Sequence, residues 1–241
     1  MRDLHLCFWG CAVLTSLFCV SAQGAYIYVD GDYTGNDSDG SYLKPYKTIG
    51  AAVGAASDGA EIRVAEAASD YRETVSIDDL EVTIIGWCGG DAGDPEDPEN
   101  VVIDGEGTRR CLEVQYVAGS GLAIQALTLK RGYAGDHYDG GAVFITASSV
   151  TFTDVHILNS RTESAYAGGG LYVESSSVVE LTGCTLSGNG ATHGAGIYVV
   201  NSSLALQENC RVLANEATYG TGGGIYSTGS TLILTTPSPL C

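Results

Sequence analysis

The sequence predicts an all-β fold: a right-handed, single-stranded parallel β-helix with a short capping helix at its N-terminal end. Three observations carry this. A glycine cluster followed by apolar and aromatic residues recurs in the last third, within AGGGLYVESSSVVELTGCTLSGNG, HGAGIYVVNSSLALQENCRVLANE and TGGGIYSTGSTLIL. The aromatics after the clusters, Phe144, Tyr172, Tyr198 and Tyr226, follow one another at 28, 26 and 28 residues. The apolar residues opening the next segment keep the same rhythm at Leu122, Val150, Val178, Leu204 and Leu232, and CTLSGN returns 26 residues later as CRVLAN. Repeats of this length are stacked supersecondary units, none of which can bury its apolar face alone.

The first element is an export signal. Arg2 precedes an apolar run from Leu6 to Val20, and Val20-Ser21-Ala22 offers small residues for cleavage after Ala22. The run is shorter than the ~20 residues of a spanning helix. Residues 1–22 are therefore assigned to a signal peptide, 23–66 to an N-terminal cap and first coil, and 67–241 to β-helix repeats. In the cap, Tyr26 to Val29 reads as a strand and Thr48 to Ala56 as a short helix. Asp58-Gly59 forms a turn, and Glu61 to Val64 a second strand. Such a cap covers the open core and unpaired edge of a solenoid.

Inside one repeat, SSVTFTDVHILNS spaces Val150, Phe152, Val155 and Ile157 by two, three and two. Period two marks strand, and the step of three marks a corner. Leu122, Ile124, Leu127 and Leu129 repeat the pattern 28 residues earlier. Each coil returns to a parallel strand, a connection that is overwhelmingly right-handed. The glycine clusters suit stacked corners needing positive φ and little bulk. Asn189 and Asn215 should form an amide ladder. A nucleotide-binding role fails, because the clusters lack both G-x-G-x-x-G and a following Lys-Ser/Thr. The toxin-type calcium repeat fails too, since Val173 stands near the slot for its aspartate.

A formal charge of −18 argues against nucleic acid and anionic membranes as partners. Five of eight cysteines follow the signal: Cys88, Cys111, Cys184, Cys210 and Cys241. Their spacing does not suit zinc. Cys184 and Cys210 occupy equivalent places one coil apart, as a thiol ladder or a disulfide. A Cys88–Cys111 bridge would staple the acidic loop between them.

The stretch from DGSYLKPYKTIGAAVGAASDGAEIRVA through EVTIIGWCG to VVIDGEG resembles the N-terminal part of the pectin-lyase-like right-handed β-helix superfamily. GGAV, LSGN and VLAN resemble the repeats of polymorphic outer-membrane proteins, with Val143 in place of isoleucine and Leu186 and Val212 in place of phenylalanine. The resemblance implies the fold, and it admits lyases, hydrolases, adhesins and surface scaffolds alike.

The catalytic and metal-binding residues stay unassigned from sequence. The best charged cluster joins Asp104, Glu106, Arg109 and Arg110 with Lys130, Arg131, Asp136, His137 and Asp139, on what would be neighbouring coils. A lyase would need such carboxylates and a basic group, a hydrolase two close carboxylates. The plainer expectation is a turn with solvated charge at 104–110 and a surface insertion at 133–139. Asp30, Asp32, Asn36, Asp37 and Asp39 form an acidic loop that calcium would suit, without the D-x-D-x-D-G spacing; no other cofactor is expected. A new coil opens at Leu232 and the sequence stops at Cys241, which reads as a truncated product. The expected protein is a secreted or outer-surface scaffold or adhesin with carbohydrate or a cell surface as ligand. The alternative is a pectate-lyase-like enzyme.

Overall fold

The computed structural model describes residues 26–87, 100–119, 121–135, 139–163 and 165–235. The signal peptide, Cys88, Asp136, His137 and Cys241 lie outside the described residues. Among the described residues, no helix is long and apolar enough to cross a membrane.

Strands of successive coils stack in three parallel sheets. One coil shows the plan. Val143–Thr146 belongs to the glycine-side sheet, and Ser149–Leu158 to the long sheet, where it bends in the middle. Arg161–Thr162 belongs to a short sheet, and the chain then reaches the next glycine corner. Corners are marked by left-handed backbone. Ala126, Asp154 and Gly183 bend the long strand at φ 53°, 50° and 67°. Arg131, Asn159, Gly188 and Ala214 turn the chain into the short sheet at φ 50°, 51°, 68° and 51°. Non-glycine residues adopt this region only at a cost, so packing must hold the corners in place.

The glycine corner shows why it must be glycine. Gly168 has φ 67°, and a Cβ there would lie 2.8 Å from the Leu171 carbonyl oxygen. A Cβ on Gly170 would lie 2.6 Å from the Gly196 carbonyl oxygen of the next coil. The stacked backbones approach too closely for any side chain between them.

Inward residues form columns. Ile124, Phe152, Leu181 and Leu206 lie in register across four coils, all buried. Phe152 is fully buried, and emptying such a site costs about 3–5 kcal/mol. The repeat register corrects one sequence marker. Val150 pairs with Leu122 on one side but with Val179, not Val178, on the other. Val179 is fully buried and Val178 is 46% exposed. Alternation in a strand makes a one-residue slip a change of face. The extra residue is absorbed in the Ser175–Ser176 turn, where both φ values are positive.

Polar ladders close the corners. The Asn189 Nδ2 donates to Asn215 Oδ1 at 3.0 Å and to the Ile157 carbonyl at 3.0 Å, and its Oδ1 accepts from the Ser160 amide at 2.9 Å. Asn189 is 1% exposed, so these bonds replace water that cannot reach it. A serine ladder, unforeseen in the sequence, runs at the opposite corner. The Ser148 amide donates to Ser177 Oγ, the Ser177 amide to Ser202 Oγ, and the Ser202 amide to Ser230 Oγ.

The cap has the expected elements with shifted ends. Tyr26–Val29 is a strand, followed by a helix at Ile49–Ala55 and a strand at Ala60–Ala65. Thr48 caps the helix by accepting from the Ala51 amide. Glu73 adds a carboxylate that accepts from the Ile49 and Gly50 amides, both at 2.8 Å. Ile49 and Ala52 are fully buried against the first coil.

Candidate functional surface

The described members of the charged cluster are brought together, with a geometry the sequence did not foretell. Val102–Asp104 pairs in parallel with the second half of Leu122–Lys130, which sets Asp104 beside Lys130. Asp104 is fully buried rather than solvated. Its carboxylate accepts from Arg131 Nε and Nη2 and from the Glu106 amide. Burial opposes its charge, but the Arg131 hydrogen bonds and charge together with the amide hold its pKa below the ordinary carboxylate value. Around it, Lys130 pairs with Asp70 at 2.8 Å, and Glu106 with Arg109 at 2.6 Å and Arg72 at 3.7 Å. Arg110 takes Glu113 at 2.5 Å and donates to the carbonyls of Asp139 and Gly140. Each of these carboxylates is held by a cation, and the cluster reads as a knot that fastens adjacent coils.

The segment after it is not a simple insertion. Tyr133–Ala134 is a strand of the short sheet, and Asp139 closes a glycine corner by accepting from the Ala167 amide at 2.6 Å. The acidic loop likewise uses its carboxylates internally. Asp30 accepts from the Asp32 amide, Asp32 from the Ala68 amide, and Asp39 from the Ser41 amide. Asp37 pairs with Lys44 and accepts from the Tyr33 hydroxyl. Among the described residues, no group of three or more His, Cys, Asp or Glu side chains converges as a metal site.

A cleft opens on the outer face of the short sheet. Tyr133, Arg161, Gly190 and Glu216 stack in register, one per coil. Gly190 interrupts this outward ladder. A Cβ placed there would meet nothing closer than 3.9 Å, so the missing side chain leaves a real gap. The resulting cleft is about 140 Å³ and is lined by Arg161, Glu163, Gly190, Thr192, Thr218 and Tyr219. Tyr219 is 82% exposed at its rim. Arg161 lies over the Tyr133 ring at 5.6 Å, and the Tyr133 hydroxyl donates to Glu163 at 2.5 Å. Cation, carboxylate, hydroxyls and an aromatic thus converge on one concave site.

The aromatics of the repeat form a second outward ladder. Phe144, Tyr172, Tyr198 and Tyr226 stack at centroid distances of 5.7, 5.1 and 5.0 Å with nearly parallel rings. Arg110 covers Phe144 at 5.1 Å, and His193 leans on Tyr226 at 5.6 Å. Burial, then the nearby Asp139 and Glu174 charges, raise the Tyr172 hydroxyl above its ordinary pKa. Most ring faces are turned to one another, which makes this ladder a stiffening rib.

The sequence profile of the right-handed beta helix region matches residues 99–236, more than half of the chain. The chain belongs to the right-handed β-helix family. No curated protein and no solved structure matches it. In this right-handed β-helix the matched region holds the aromatic rib, the short-sheet cleft and the charged knot except for Asp70 and Arg72. The cap and the strands up to Trp87 precede it.

Of the cysteines, Cys184 and Cys210 stand one above the other, since Thr185 pairs with Arg211. Cys111, Cys184 and Cys210 carry free thiols. Cys88, the other half of the expected staple, lies outside the described residues. Cys111 is fully buried in the core, with its sulfur 3.4 Å from the Lys130 carbonyl oxygen. Burial pushes its thiol pKa up to about 12. The cleft at Gly190 was missed in the sequence. Its signal was present: at the short-sheet position, the repeat reads Tyr, Arg, Gly and Glu.

Proposed function

We propose that this β-helix is a secreted or outer-surface scaffold of the adhesin type, which holds carbohydrate in the short-sheet cleft. The observation that carries the reading is the gap at Gly190, open between the Arg161 and Glu216 rungs and edged by Tyr219. A pyranose offers apolar C–H faces to a tyrosine and hydroxyls to Arg161, Glu163 and the threonines, a pairing that suits amphipathic aromatics. The leader-like N-terminus and the resemblance to outer-membrane-protein repeats support display outside the cell. The charge of −18 fits partners other than nucleic acid.

The test is glycan-array screening of the full chain, followed by calorimetry on the best oligosaccharide. Gly190→Gln fills the gap without meeting backbone and should weaken binding at least about tenfold, a loss of ~1.4 kcal/mol. Glycan binding unchanged in Gly190→Gln and Tyr219→Ala would remove the cleft from the reading. The competing enzyme reading rests on the charged knot. It takes over if uronate polymers with calcium yield unsaturated product and Arg131→Ala or Asp136→Ala abolishes that activity while the variant stays folded.

A further inference from the structure

One inward column of the solenoid changes its chemistry toward the C-terminal coils. Leu127 pairs with Val155, and the register that places His156 beside Thr185 sets Cys184 next to Val155. The pairing of Thr185 with Arg211 then sets Cys210 next to Cys184. The column thus runs leucine, valine, cysteine, cysteine. Neighbouring parallel strands lie roughly 4.8 Å apart, within the ~4.4–6.8 Å Cα separation of a disulfide. In-register side chains on one face also point the same way, so the bond needs no sliding of the coils.

The two thiols differ in access. Cys184 is fully buried, its sulfur 3.3 Å from the Thr182 carbonyl oxygen and 3.5 Å from that of Phe152. Cys210 is only partly buried, with its sulfur 3.2 Å from the Leu181 carbonyl oxygen. Leu186 and Leu204, on the strands that flank this pair, are fully buried. A covalent tie here would join two coils whose strands already pair in register.

We propose that Cys184 and Cys210 are an oxidation-closed clamp, which a hydroperoxide converts from two thiols to a disulfide between adjacent coils. Cys210, the reachable sulfur, attacks the peroxide oxygen. Its S–O bond forms as O–O breaks, giving a sulfenic acid and, for hydrogen peroxide, one water. The Cys184 sulfur then displaces hydroxide from that sulfur, and the Cys184 proton leaves with it as a second water. Two electrons pass from the thiol pair to the peroxide. The Cys184 contact holds the Cys210 thiol below its ordinary pKa, while Cys210 and burial raise Cys184, consistent with Cys210 reacting first. Cys111, buried and without a cysteine stacked on it in register, is the internal reference.

The test uses the full chain, reduced and then exposed to hydrogen peroxide, with unreacted thiols alkylated in denaturant and the digest mapped without reduction. The expected product is a Cys184–Cys210 cross-link lighter by two hydrogens, forming at least about tenfold faster than any bridge to Cys111. Oxidised wild type should melt roughly 6–12 °C higher than reduced protein. Cys210→Ser should show no such rise. Recovery of both residues as separate alkylated peptides, accumulation of Cys210 as sulfinic acid, or bridging of either to another cysteine overturns the clamp. The wild-type map decides the matter even if Cys210→Ser fails to fold.

Discussion

Replacing Asp104 by Asn tests the charged knot as a structural fastening. The carboxylate is fully buried and accepts from Arg131 Nε at 2.9 Å, from Arg131 Nη2 and from the Glu106 amide at 2.8 Å. Asparagine keeps the shape and can keep the amide bond through Oδ1. It loses the charge and turns an N–H₂ toward the guanidinium or forfeits a contact. Breaking a buried pair costs about 3–5 kcal/mol when the surviving charge stays buried. The Arg131 side chain is 53% exposed and can return to water, which reduces the cost to about 2 kcal/mol. With a urea m-value of ~2 kcal/mol/M, the midpoint should fall by about 1 M. The acid limb gives a second readout. Asp104 has a folded pKa below its unfolded value of ~3.9, so its contribution is present above that value and is lost as pH falls through the folded pKa. Wild type should therefore lose stability on acidification more steeply than Asp104→Asn. A midpoint shift under ~0.3 M would refute the fastening role. So would strict additivity with Arg131→Ala, because residues that share a bond must couple.

The buried amide ladder gives a further expectation. Asn189→Ala removes bonds to Ser160, Ile157 and Asn215 at 1% exposure, and should cost about 2–4 kcal/mol in urea unfolding. The corrected register makes a paired prediction. Val178→Asp should change stability by no more than about 0.5 kcal/mol, whereas Val179→Asp should prevent folding or cost over ~4 kcal/mol, as judged by expression and circular dichroism.

Much of the solenoid was legible because stacking makes like residues recur. Leu122 to Leu129 match Val150 to Ile157 with no gap in the paired strands. The aromatics Phe144 to Tyr226 and the amides Asn189 and Asn215 stack where their spacing placed them. The helix cap differed by one residue at each end, since Thr48 and Ala56 are the flanking cap residues. The error at Val178 came from a run of two valines, where apolar character alone cannot tell inside from outside. The serine ladder was illegible for a related reason: Ser148, Ser177 and Ser202 look like ordinary turn serines until their burial is seen. The charged cluster was found by residue type, and the turn with partly exposed charge is there at Glu106 and Arg109. What the residue types could not show is that Asp104 is fully buried under Arg131.

By itself, the sequence determined the coil length, most of the residues that point inward and the corners that carry the glycine clusters. These follow from local alternation and from a repeat that has to satisfy its own copy one strand spacing away. Tertiary structure alone decided which charges face one another, which of two adjacent valines is inside, and where the outer face has a gap. Those properties depend on residues far apart along the chain, such as Asp104 and Arg131 or Asp70 and Lys130, brought to neighbouring rungs by a register that one inserted residue can change. The glycine clusters are repeated because backbones crowd there, whereas Gly190 departs from its column and leaves a gap on the outer face.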